Sequence, residues 1–212
     1  MTEQNPEAYT TLLYVIEMIG TFAFAISGIR MAAAKNYDWF GAFCCGFAVA
    51  VGGGTMRDVM LGTTPFWMTT PDYIICNFIS LLVVALFFGF INRIYNTWLH
   101  IFDTLGLALF TIAGMQKSME FDQPFWVAII MGAVTGAGGG VIRDVLLNEI
   151  PRIFRKEIYA MAAVIGGSAY YLMRFFGVEV HVASVLTFFA VFFIRLAAVK
   201  YHIQLPVLTE KK

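Results

Sequence analysis

The chain has 212 residues, 59% of them hydrophobic and 13% charged, with 14 basic residues balanced by 14 acidic ones and a mean hydropathy of +0.75. That apolar content exceeds an ordinary soluble domain's, and it recurs in stretches near the roughly 20 residues a helix needs to cross a bilayer. A formal net charge of zero leaves no basic patch for nucleic acid, and without a heptad run or low-complexity tract nothing indicates a scaffold.

Residues 1–10 carry Glu3 and Glu7 but no Lys or Arg, so the basic n-region of a cleavable signal is missing and the first helix is expected to be retained. Hydropathy, broken at charged or Pro-containing loops, predicts seven spans: about 11–33, 38–62, 72–91, 99–117, 124–148, 157–175 and 180–199. They form a single membrane domain over 1–212, with a short tail from 200. Cys44, Cys45 and Cys76 fall inside spans and read as small buried side chains, without disulfide or metal-site spacing. Trp39, Trp67, Trp98 and Trp126 lie near span ends and read as interfacial anchors. His100, His181 and His202 read as interfacial polar residues. Alternating the loops puts Lys117 and Arg174 on one side; Arg30, Lys35, Arg93, Arg152, Arg155, Lys156, Lys200, Lys211 and Lys212 fall on the other. The positive-inside rule then predicts an outward N-terminus and a cytoplasmic C-terminus.

The most specific signal is a doubled motif. Gly52-Gly53-Gly54-Thr55-Met56-Arg57-Asp58-Val59 returns as Gly138-Gly139-Gly140-Val141-Ile142-Arg143-Asp144-Val145. Each Gly weakens a helix by about 0.5–1 kcal/mol against Ala, and an ionisable group at membrane depth costs about 2.5–3.5 kcal/mol on insertion scales. An ungapped offset of 86 residues extends the match to Gly20 and Gly106, Phe24 and Phe110, Gly28 and Gly114, and Pro65 and Pro151, giving 14 identities in 49 positions. Two three-helix repeats, about 11–91 and 99–175, plus a seventh helix at about 180–199, are the simplest parse. Three spans separate equivalent positions, so the second repeat runs inverted, as in many proteins that move solutes across membranes.

The triplets predict that helices 2 and 5 kink or unwind there, next to a hydrated cavity that satisfies the freed backbone. Close helix packing is the competing reading, since Gly132 and Gly136 already form a small-xxx-small pattern. Depth counting pairs Glu17 with Arg57 and Asp103 with Arg143, with Asp58 and Asp144 as second partners or as N-terminal charges for half-helices. Such pairs fix a bundle and can also gate a pore. Arg30, Lys117 and Arg195, near span ends, are expected to snorkel to the interface. Free carbonyls at a helix break favour cations and free N–H groups favour anions, so a cation path and a zwitterionic amino-acid site both fit. No nucleophile–base arrangement or ligand cluster signals an enzyme or a cofactor.

The doubled Gly-Gly-Gly-x-x-Arg-Asp segments, the three-plus-three-plus-one helices and the length resemble prokaryotic members of the trimeric intracellular cation (TRIC) channel family, from about Leu12 to Val199. The resemblance implies a homotrimer in the bacterial or archaeal cell membrane, in contact with its lipids. Each protomer would have its own hourglass pore for potassium and sodium through the repeat helices, with helix 7 peripheral. Carried onto this chain, the pore kinks fall on Gly52, Gly53, Gly54, Gly138, Gly139 and Gly140, followed by Arg57, Asp58, Arg143 and Asp144. The eukaryotic branch has a basic lipid-binding motif after its kinked helix; no Lys-Glu-Val segment occurs here. The same bacterial domain also carries a glycine-transporter label, which implies the alternative of a secondary transporter for glycine or a similar small amino acid.

Overall fold

The computed structural model describes the backbone of residues 6–93, 95–154, 158–201 and 203, and among these the side chains of 11, 13–87, 100–154, 158–201 and 203. Arg93, Trp98, Arg155, Lys156, His202, Lys211 and Lys212, which entered the expectations above, therefore lie outside the described side chains. Seven α-helices are present among the described residues: α1 (Pro6–Ala34), α2 (Trp39–Met60), α3 (Asp72–Arg93), α4 (Tyr95–Glu120), α5 (Phe125–Leu146), α6 (Ala160–Phe175) and α7 (Val180–Lys200). Short 3-10 helices, Phe66–Met68 and Arg152–Phe154, follow α2 and α5. Leu13–Ala34, Trp39–Met60, Phe125–Leu146 and Val180–Lys200 are long and apolar enough to span a bilayer on composition alone. The chain is an all-α membrane protein.

The repeat is written into the helix ends. Asn36 and Asp122, 86 residues apart, both take positive φ after α1 and α4, and Gly62 and Asn148 do the same after α2 and α5. Each allows the next amide to reach back into the last turn: Tyr37 N to Ala32 O, Gln123 N to Ser118 O, Thr63 N to Asp58 O and Glu149 N to Asp144 O. This left-handed cap satisfies carbonyls that the helix leaves open, and Asn, Asp and Gly are the residues that tolerate it.

Packing reciprocates between the halves. α1 packs on α2 and α3 as α4 packs on α5 and α6, and the halves join through α1 against α4 and α2 against α5. A Cβ at Gly53 would lie 2.2 Å from Thr135 O, and one at Gly139 would lie 2.4 Å from Val49 O. These contacts interchange under the 86-residue offset, which is the signature of a two-fold between antiparallel copies. Glycine here lets two backbones touch, the main source of helix association where lipid removes the hydrophobic drive. Among the described residues α7 packs mainly on α4 and α6, where Gln116 Nε2 donates to Ser184 Oγ at 2.9 Å and Val191 covers Gly166. It is peripheral, as expected.

The kinks expected in helices 2 and 5 are not shown. α-Helix is continuous through Gly52–Gly54 and Gly138–Gly140, so no unwound backbone needs a hydrated partner. In this conformation the triplets do the work of the competing reading, close helix packing.

Candidate functional site

At one end of the α1–α2–α5–α4 ring, Arg57 sits in the last turn of α2, fully buried. Its Nη2 donates to Glu17 Oε1 on α1 at 3.0 Å, and its Nε donates to Asp58 Oδ1 at 2.8 Å. Glu17 Oε2 accepts from Tyr73 Oη on α3 at 3.2 Å. Asp58 Oδ2 accepts the backbone N–H of Phe66 at 2.7 Å, so one carboxylate holds the arginine and the start of the 3-10 helix. The Phe66 ring faces the Arg57 guanidinium, 5.5 Å from Cζ to ring centre.

The other end repeats the plan with a different charge balance. Arg143 Nη1 donates to Asp103 Oδ1 and, at 2.7 Å, to Ser27 Oγ on α1. Its Nε and Nη2 donate to Asp144 Oδ1 at 3.0 and 2.8 Å. Asp144 Oδ2 accepts the Arg152 backbone N–H at 3.0 Å, matching Asp58 and Phe66. Arg152 then adds what the first cluster lacks: its Nη1 donates to Asp103 Oδ2 at 2.8 Å. Tyr159 Oη donates to Asp103 Oδ1 at 3.4 Å, and the buried Arg195 of α7 lies over the Tyr159 ring at 5.1 Å.

The depth-counted pairs, Glu17 with Arg57 and Asp103 with Arg143, are thus both formed, and Asp58 and Asp144 are second partners. The two aspartates also cap the 3-10 helices that follow. The Glu17 cluster holds two carboxylates and one guanidinium; the Asp103 cluster holds two of each, with Arg195 behind. Arg57 Nη1 has no hydrogen-bond partner among the described residues, because Ala113 stands where repeat symmetry would place a counterpart of Ser27.

Several sequence expectations are corrected. Arg30 and Arg195 do not snorkel: they are 3% and 0% exposed and turn inward. Lys117 behaves as expected at a helix end, pairing with Glu120 at 3.1 Å. Cys45 and Cys76 are buried, whereas Cys44 is exposed on α2. Trp39 and Trp126 are exposed, and Trp67 is half-buried with Nε1 donating to Thr55 Oγ1 at 3.0 Å. His181 is exposed beside Glu179. No cluster of three or more metal-ligating side chains occurs among the described residues. Sequence reasoning missed Tyr73 and Tyr159, although they too are 86 residues apart, and it missed the second partner that Arg152 gives Asp103.

A family model described as glycine transporter matches the chain twice, over residues 14–89 and 100–174, one match per repeat. A UPF0126 membrane protein of Vibrio cholerae is 39% identical over 93% of this chain and 83% of its own length. The UPF0126 inner membrane protein YadS of Escherichia coli is 38% identical, covering 92% and 95%. Among solved structures, a prokaryotic TRIC channel crystallised in 0.5 M KCl is 30% identical with a TM-score of 0.86, covering 92% of this chain and 100% of that one. A chain solved for the basis of conductance through TRIC cation channels is 33% identical with a TM-score of 0.84, covering 93% and 98%. This chain belongs to the prokaryotic TRIC channel family. A TRIC channel from C. elegans, 14% identical with a TM-score of 0.61, shares the fold. In this TRIC family member the site consists of two charge clusters on either side of a glycine crossing.

Proposed function

We propose that the protein is a passive channel for monovalent cations, potassium and sodium, with one pore in each protomer of a homotrimer in the inner membrane. The observation that carries this reading is the likeness, over nearly the whole length of both chains, to structures described as TRIC cation channels. The path runs along the axis of the α1–α2–α5–α4 ring, between the Glu17–Arg57–Asp58 and Asp103–Arg143–Asp144 clusters. Glu17 and Asp103 offset the arginines and keep each mouth acceptable to a cation. Gly52, Gly53, Gly138 and Gly139 form the seam at which α2 and α5 part when the pore opens, and Gly54 and Gly140, against Phe66 and Tyr159, extend each triplet where a kink develops. Loop charge supports an outward N-terminus and a cytoplasmic C-terminus, and the exposed apolar side chains meet membrane lipids and neighbouring protomers.

The deciding experiment is single-channel recording of the purified protein in a planar bilayer under a potassium chloride gradient, with and without glycine. Discrete steps reversing near the potassium equilibrium potential are expected. Silence in that assay, together with saturable glycine uptake into proteoliposomes, would instead make these residues a transporter's substrate site, the activity that the family model's description names.

A further inference from the structure

Inside the ring, one pair of core side chains from the two repeats meets face to face. Phe24 of α1 and Phe110 of α4 occupy equivalent positions in the two repeats, are each 1% exposed, and stack with ring centres 5.4 Å apart and planes 18° apart. Phe24 lies seven residues from Glu17, and Phe110 lies seven from Asp103. At 1.5 Å per residue the pair therefore sits about 10 Å from each acidic group. Along the axis the order is charged layer, aromatic layer, charged layer.

The seats of the rings are unusual. A Cβ at Gly106 would meet the Phe24 ring at 2.3 Å, one at Gly139 would meet it at 3.0 Å, and one at Gly20 would meet Phe110 at 2.9 Å. Each ring thus has glycine backbone on one side and the rings and side chains of the buried core on the other. On the glycine side a ring has no neighbouring side chain to displace, which an interlocked core would place there. Phe66 extends the aromatic layer toward Arg57, edge-on to Phe110 at 6.4 Å.

We propose that Phe24 and Phe110 are the barrier of the permeation path: a dry plug at the repeat axis whose rings must separate before a hydrated cation passes. This rests on the channel reading above. An apolar constriction excludes ions because shedding water there has no compensating ligand. The carboxylate excess of the Glu17 layer draws cations toward the plug, and the plug sets the closed state and the largest cation that passes.

The test is bilayer recording of wild type, Phe24→Ala, Phe110→Ala and the double variant, in potassium and then in tetramethylammonium. The expected result is a several-fold rise in open probability for each single variant, with tetramethylammonium current in the double variant where wild type carries none. A double variant of wild-type oligomeric state with unchanged open probability and size cut-off overturns the barrier while leaving the channel reading intact. Should the alanine variants not fold, Phe24→Leu and Phe110→Leu keep most of the volume; smaller rises in the same readings are expected, and none overturns the barrier. Steps in the variants with a silent wild type support a plug closed at rest. Silence in all of them overturns both readings.

Discussion

Phe66 and Arg152 occupy equivalent positions in the two repeats and make opposite use of them: the Phe66 ring faces Arg57 at 5.5 Å, while Arg152 reaches past Arg143 to Asp103 at 2.8 Å. The backbone N–H of each binds the motif aspartate in the same way. The fold is thus symmetric and the charge is not, which makes one end of the protein more tightly bound than the other.

Asp103→Ala is therefore expected to be the most damaging charge removal. It takes a carboxylate from two buried guanidiniums, Arg152 and an Arg143 that keeps Asp144 and Ser27, and breaking such a network costs about 3–5 kcal/mol. Glu17→Ala strands one arginine that keeps Asp58, and it should cost less. Thermal unfolding in detergent checks the order. Asp103→Ala combined with Arg152→Ala should recover part of the loss, because it removes one of the unpaired charges.

Glu17→Gln separates permeation from folding. The amide keeps a carbonyl acceptor for Arg57 but leaves the Glu17 cluster without its excess of carboxylates. Potassium conductance should fall by about threefold to tenfold, the equivalent of roughly 1 kcal/mol at the barrier. Conductance equal to wild type in a folded protein would remove Glu17 from the path.

Much of this site could be read from the chain because the repeat supplies its own comparison. The 86-residue offset and depth counting together brought Glu17 to Arg57 and Asp103 to Arg143. Tyr73 and Tyr159 were missed because they lie beyond the stretch of strong identity that defined the alignment. Arg30 and Arg195 were misplaced because hydropathy gives depth along a helix but not the face a side chain takes. For the triplets, backbone exposed by Gly can break a helix or receive another one, and the choice depends on a tertiary partner: Gly53 meets Thr135, and Gly139 meets Val49.

That partner makes the glycines unequal. Gly53→Ala and Gly139→Ala drive a methyl into backbone oxygens, at 2.2 and 2.4 Å, which no rotamer change relieves. Gly52→Ala meets only the end of the Ile142 side chain, which is half-buried and can turn. Overpacking of the first kind should cost about 1–3 kcal/mol or more, and Gly52→Ala clearly less. Melting temperatures of the three variants decide the point. Equal losses would mean that helix propensity rather than the crossing matters.

Arg195 offers a separate check on how α7 is held. A snorkelling arginine could be cut to Ala at almost no cost, but the buried stack on Tyr159 predicts a loss of about 2 kcal/mol. Arg195→Lys should recover only part of it, since a compact ammonium lacks the flat face that lies on the ring. Denaturation of the three proteins in the same detergent tests this.

Asp58 and Asp144 join the arginine layers to the loops, so their removal should be felt in two places. Asp58→Ala frees Arg57 Nε and the Phe66 N–H together; Asp144→Ala does the same to Arg143 and the Arg152 N–H. Hydrogen exchange should rise over residues 62–70 in the first variant and over 148–154 in the second, each leaving the other loop protected. Asp58→Asn, which keeps a carbonyl for the Phe66 N–H, should spare the loop while still weakening the hold on Arg57. If the Asn variant loses loop protection as fully as Ala, the charge rather than the hydrogen bond holds the 3-10 helix, and the capping role assigned to Asp58 Oδ2 is wrong.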